Sequence, residues 1–229
     1  MTPRLIERRD LFPTPVWRYE FPNFEEKQIE LVKYLGQDQM WFKDQEMNGL
    51  QVTEGNLHDK ELHPALSPIT DFFQACFEDV LDRLGYEKNV GLTTIWATRQ
   101  KQQGFHFEHI HANTLLAGVL YMYDIDGNAQ GTVIKNHNAG LYQIIPRVKK
   151  GSTEFFRSEE QMPFVPGTAI IFPGWALHSA VPNNSRYRMI VGANCMPIGR
   201  TNFDHYNQYV FPDPNDFGYL PLEEDLKQR

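Results

Sequence analysis

Along the 229-residue chain the spacing of apolar positions changes character once. Before about residue 90 they recur at helical intervals, and after it they alternate at every second position. Asn23 is placed to cap a helix, with Glu26 three residues later as its capping-box partner, and the pattern predicts a helix to about Leu35, stopped at Gly36. A second helix is predicted from Ser67 as cap, with Pro68 in its first turn. Ile69, Phe72, Phe73, Cys76, Val80 and Leu84 make one apolar stripe on it, and Gly85 ends it. Such a stripe packs against a sheet. Ahead of both helices, 11–21 is an extended segment punctuated by Pro13 and Pro15.

From residue 91 the alternation predicts strands at 92–97, 105–111, 115–123, 131–136, 141–145, 168–172 and 187–194. They are short and separated by Gly, Pro and Asn. Consecutive short strands without intervening helices favour a sandwich or barrel over a parallel sheet, so the chain reads as mainly β with flanking helices. The charged stretch 146–160, with Lys149, Lys150, Gly151 and Ser152, reads as a loop insertion. The tail 196–229 holds Tyr206, Tyr209, Phe211, Phe217 and Tyr219 and is expected to dock on the domain or on the partner of a homodimer. One domain spans 1–229: N-terminal strand and supporting helices over 11–90, the β core over 91–195, and the aromatic extension.

Composition narrows the classes. Hydrophobic residues make up 41% of the chain and aromatic ones 13%, enough to fill a core and to exclude global disorder. A formal charge of −7 argues against a general binder of nucleic acid backbone. Cys76 and Cys195 form neither a disulfide framework nor a C-x-x-C pair. Residues 1–10 are charged, unlike a signal peptide, and no apolar run approaches the roughly 18 residues of a membrane span. A soluble, cytoplasmic protein is the expectation.

The chemistry concentrates in Gly104-Phe-His-Phe-Glu-His-Ile-His111. On a strand, side chains two apart share a face, so His109 and His111 point one way, and His106 and Glu108 the other. Either pair suits a metal ion, and the second offers the carboxylate of a 2-His-1-carboxylate iron site. A third donor, His178, follows an apolar strand and the turn Pro173-Gly174-Trp175. Ten residues on stands Arg188, in a strand where alternation groups it with Ile190, Gly192 and Asn194. A charge in an apolar strand needs a partner, and a guanidinium suits the carboxylate of a dicarboxylic ligand. Arg186 competes for that role from nearer the turn.

The order of Phe12-Pro-Thr-Pro-Val-Trp17, Trp96, His109-Ile-His111-Ala-Asn113, Leu116-Ala-Gly-Val-Leu-Tyr121, Phe172-Pro-Gly-Trp-Ala-Leu-His178, Arg188 and Asn194 resembles a family of 2-oxoglutarate–iron(II) oxygenases of bacteria and phages, over roughly residues 11 to 195. The resemblance implies a double-stranded β-helix, a jelly-roll or cupin-like barrel. It implies Fe(II), 2-oxoglutarate and O2 as cofactor and co-substrates. It puts His109, His111 and His178 in the metal positions, and Arg188 with Asn194 at the co-substrate, with no catalytic side chain beyond the metal ligands. The implied reaction is oxidative decarboxylation of 2-oxoglutarate to succinate and CO2, coupled to hydroxylation of a small molecule or a macromolecular side chain. This chain departs from the family at Ala112, where proline is usual, at Ala117, and at Ile190, where a hydroxylated residue is common. His111 stands where an acidic residue is usual. Two rivals stay open: a cupin-type metalloenzyme without 2-oxoglutarate, and a non-enzymatic β-sandwich module. The choice between His109/His111/His178 and His106/Glu108/His178 also stays open.

Overall fold

The alternation beyond residue 90 folds into two facing antiparallel sheets. The structure is a computed structural model that describes residues 13–41, 48–53, 56–59, 63–137, 157–201 and 209–211. In chain order its elements are β1 (Trp17–Glu20), α1 (Phe24–Leu35), β2 (Leu50–Val52), α2 (Ser67–Arg83), β3 (Val90–Lys101), β4 (His106–His109), β5 (Leu116–Asp124), β6 (Val133–Lys135), β7 (Glu159–Gln161), β8 (Thr168–Pro173), β9 (His178–Ala180), β10 (Tyr187–Pro197), β11 (Gly199–Thr201) and β12 (Tyr209–Phe211). The larger sheet has the order β1-β8-β5-β10-β3-β2 and the smaller β4-β9-β6-β7, while β11 pairs with β12. This is the double-stranded β-helix expected from the resemblance.

Residue parity assigns the two faces of the larger sheet. Leu120 and Met122 of β5, Ala169 and Ile171 of β8, and Met189, Val191 and Ala193 of β10 face the helices and form the main core with Phe73, Phe77 and Val80 of α2. The alternate residues Val119 and Tyr121, Ile170 and Phe172 face the smaller sheet and form a second core with Ile134 and Ala176. Strands buried on both faces read as continuous apolar runs, which is why β5, β8 and β10 were legible. Gly118 is required where α2 meets β5, because a Cβ there would stand 2.6 Å from a ring carbon of Phe73. Truncating a fully buried ring such as Phe73 to alanine costs about 3–5 kcal/mol.

Several local expectations need correction. Asn23 adopts a left-handed backbone (φ 54°) and makes no side-chain cap, so the capping box with Glu26 does not form although the helix bounds hold. Ser67 is the first residue of α2 and not its cap, because a 3-10 turn at Pro64–Leu66 runs straight into the helix. Leu84 is exposed, and the buried face of α2 runs instead through Phe77 and Leu81. The end of the 146–160 stretch is not all loop, since Glu159–Gln161 pairs with β6. The strand expected at 141–145, residues 146–156 of that insertion and most of the aromatic tail lie outside the described residues.

Candidate metal centre and cavity

Strand β4 is the edge of the smaller sheet and pairs with β9, with His106 opposite Ala180 and His109 opposite His178. Three steps on β4 therefore match two on β9. The extra residue is a bulge, and it changes which side chains share a face. His106 and His109 both line one cavity, their rings edge to face with centroids 4.1 Å apart. The expectation that His106 points away with Glu108 is thereby corrected, because strict alternation breaks at the bulge. Glu108 does turn outward, where it pairs with Lys135 at 2.9 Å. A triad of His106, Glu108 and His178 is not assembled.

His111 lies beyond the end of β4, in the turn leading to β5, and its backbone N–H donates to Gly174 O at 2.9 Å. His178 is the first residue of β9, buried to 4% exposure and not on an open rim. One ring nitrogen from each of His109, His111 and His178 lies within 4.8 Å of the other two.

The other face of each ring settles its protonation. His109 Nδ1 meets Phe107 O at 2.8 Å, His178 Nδ1 meets Ala176 O at 2.9 Å, and His111 Nδ1 meets the side-chain carbonyl of Asn194 at 2.6 Å. Carbonyl oxygens only accept, so each Nδ1 carries the proton and donates it. The three Nε2 lone pairs are left facing inward. Those of His111 and His178 stand 3.1 Å apart. Two lone pairs at that distance repel unless a cation lies between them. Imidazole nitrogens bound at right angles to one metal ion at about 2.1 Å stand about 3 Å apart. The donor set fits a divalent metal. Burial pushes His178 down to about 3 and His106 down to about 4, and lowers His111. His178, His106 and His111 therefore stay neutral at physiological pH, and neutral imidazole is the form that ligates a metal.

The cavity encloses about 120 Å³ and is walled by inward residues of the larger sheet. Register places Arg188 beside Gln100, Ile190 beside Thr98 and Tyr121, and Gly192 beside Trp96. Arg188 is 3% exposed. Its guanidinium donates to Gln100 Oε1 and to Gln130 O, and among the described residues it makes no direct ion pair, the Asp124 carboxylate opposite it in register acting on it only at a distance. Burial lowers it to about 10. Tyr121, whose hydroxyl meets Thr132 Oγ1 at 3.3 Å, shares the same walls. Arg186 is exposed and held by Asp126, Nη2 to Oδ1 at 2.7 Å, which removes it from the cavity. Asn194 stands behind the His111 ring and is not among the lining residues. Gln100, Gln130, Tyr121 and Thr132 were not singled out from sequence. Gln100 shares a face with Trp96 and Thr98 at i, i+2, i+4, but Thr93, Thr94, Arg99 and Lys101 make the same strand polar elsewhere, so no single polar position stood out.

Comparison with known proteins adds the following. Residues 94–194 match a family described as "Putative 2OG-Fe(II) oxygenase". No curated protein sequence matches the chain. Among solved structures, the non-heme alpha-ketoglutarate-dependent epimerase SnoN from nogalamycin biosynthesis is similar with a TM-score of 0.58 at 12% identity, covering 81% of this chain and 80% of that one. A Pseudomonas putida prolyl-4-hydroxylase gives 0.54 at 11% identity, covering 80% and 93%. HygX from Streptomyces hygroscopicus, solved with nickel, 2-oxoglutarate and hygromycin B, gives 0.55 at 9%, covering 90% and 96%. At these identities the likeness is one of fold.

Proposed function

From a β-helix core whose residues 94–194 match the 2OG-Fe(II) oxygenase family, we propose that the chain is a non-haem iron(II) oxygenase that consumes 2-oxoglutarate and O2 and hydroxylates a second substrate. His109, His111 and His178 hold the iron. Iron bound there supplies the oxidising chemistry, turning 2-oxoglutarate, O2 and a C–H bond into succinate, CO2 and an alcohol. The chain's own residues bind, orient and exclude water. Arg188 takes the distal carboxylate of 2-oxoglutarate, and the Tyr121 hydroxyl stands on the same wall to accompany it. The observation that carries this reading is that guanidinium. It is buried, aimed into the cavity of the three histidines, and satisfied by neutral acceptors alone. A buried cation is costly unless an anion completes it, and a dicarboxylate spanning metal and arginine does so.

The enclosed volume lies well below the roughly 300–1,000 Å³ of pockets that take drug-sized ligands. It suits a small dicarboxylate, so the hydroxylated substrate presents its C–H bond at the mouth. That substrate is a small molecule or a macromolecular side chain. Among the described residues no helix is long and apolar enough to cross a membrane. Two buried free cysteines, both pushed up to about 12 by burial, fit a reducing cytoplasm. A homodimer is the assembly we propose.

Anaerobic protein loaded with iron(II) is expected to bind 2-oxoglutarate with a weak visible charge-transfer band and, on admission of air, to form succinate slowly without substrate. Folded, iron-loaded protein that shows neither would overturn the reading in favour of a metalloenzyme without 2-oxoglutarate.

A further inference from the structure

The three histidines are not held alike. His109 and His178 sit opposite each other in a β ladder, and their Nδ1 atoms donate to backbone carbonyls two residues away. Ladder and local carbonyl together fix both rings. His111 has neither support. It follows the last residue of β4 by two positions and has no strand partner, so its ring depends on what the larger sheet brings to it.

Three things are brought. Phe172 of β8 meets the ring edge to face, with centroids 6.3 Å apart. Trp96 of β3 lies against the ring, centroids 5.6 Å apart and planes 33° apart. Gly192 makes room for that indole, because a Cβ at 192 would stand 2.4 Å from Trp96 Cζ2. Asn194 of β10 sits one step further along the same inward row and accepts from His111 Nδ1 at 2.6 Å. Of these contacts only the Asn194 bond discriminates between the ring nitrogens. Stacking fixes a plane but leaves the ring free to flip within it.

We propose that Asn194 is the positioning residue of the metal centre, holding His111 with Nε2 turned to the metal and Nδ1 protonated. It acts through His111 and touches neither co-substrate nor substrate. Its neutral carbonyl leaves His111 a neutral imidazole. The inference rests on the three-histidine cluster being the metal centre, but not on the reaction run there.

The test is zinc(II) affinity of the whole chain, measured by competition with a chelator. Asn194→Leu, similar in size but with no acceptor, is expected to bind zinc about 10- to 100-fold more weakly, the usual loss when the partner behind a ligating histidine is removed. Asn194→Asp keeps the acceptor, strengthens it by charge and is expected to bind at least as tightly as the native protein. A role in packing alone predicts the opposite grouping: both variants lower the melting temperature of metal-free protein, and neither separates from the other in zinc affinity. Native affinity in Asn194→Leu, or equal loss in Asn194→Asp, overturns the proposal. Should Asn194→Leu fail to fold, the zinc-loaded native protein decides by nitrogen-15 NMR. A slowly exchanging Nδ1 proton on His111 supports the assignment, and a proton on Nε2 refutes it. Zinc binding by the native protein tests the metal centre separately. If that binding and the Leu–Asp difference hold while iron-loaded protein makes no succinate, the oxygenase reading falls and this assignment stands.

Discussion

At one end of the cavity three imidazoles converge from a short edge strand, a turn and a second short strand. At the other, a single guanidinium rises from β10 in the middle of the larger sheet. At the histidine end each ring's outer nitrogen is satisfied by a carbonyl, and the inner nitrogens converge on a site for a cation. The arginine end keeps its charge and is buried with neutral acceptors only, waiting for an anion. Each end is incomplete in the sense opposite to the other. A ligand carrying carboxylates at both ends of a short chain, together with a divalent metal, completes both. Two electrostatic deficits of opposite sign, held apart by the sheet, specify a ligand more narrowly than either does.

The largest effect should come from the histidine end. His178→Ala removes a donor that neither His106 nor Glu108 is placed to replace. It is expected to abolish stoichiometric metal binding, as measured by metal analysis after dialysis. Full metal content in that variant would break the comparison at its first term.

Arg188→Met tests the other end. Breaking a buried charge pair costs about 3–5 kcal/mol, so the apparent requirement for 2-oxoglutarate should rise about a hundredfold or more while metal content stays unchanged. Arg186→Met, which loses only an exposed pair with Asp126, should leave the requirement near its native value. Loss of iron in Arg188→Met, or equal behaviour of the two variants, would show that the two ends are not separate.

A smaller effect concerns acid. His178 and His106 titrate in the fold near 3 and 4, against an ordinary 6.5, because burial disfavours the imidazolium. The unfolded chain binds protons below pH 6.5 that the native state refuses, so their contribution to stability is complete above 6.5 and shrinks as pH falls toward the folded values. The melting temperature of metal-free protein should therefore drop by several degrees between pH 7 and pH 5, and His178→Phe should flatten that drop. A pH-independent melting temperature across this window would contradict the burial that keeps the histidine end neutral.

The smallest effect belongs to Glu108. Its bond to Lys135 is a half-exposed ion pair worth about 1 kcal/mol or less, and Glu159 remains to hold that lysine. Glu108→Ala should keep its metal and melt within a few degrees of the native protein. Metal loss in this variant would restore a carboxylate to the centre.

Sequence alone determined the parts governed by local periodicity and by donor chemistry. Short apolar runs bounded by Gly, Pro and Asn identified β5, β8 and β10, each buried on both faces, and the helical stripe identified α2. His109, His111 and His178 were legible because clustered imidazoles are metal donors wherever they lie, and Arg188 because a guanidinium in an apolar strand demands a partner. Tertiary structure alone decided which residues share a face and what stands behind each ring. Alternation assigned His106 to the wrong face because a bulge is a mismatch between two strands, β4 and β9, and cannot be read from one of them. Whether Arg186 or Arg188 enters the cavity depended on Asp126, 60 residues away, capturing the first. The family resemblance implied Asn194 beside the co-substrate. Only the approach of a turn 83 residues earlier put His111 against it. Periodicity is a property of one segment, whereas register and back-side hydrogen bonds are properties of pairs, and the pairs exist only once the sheets have closed.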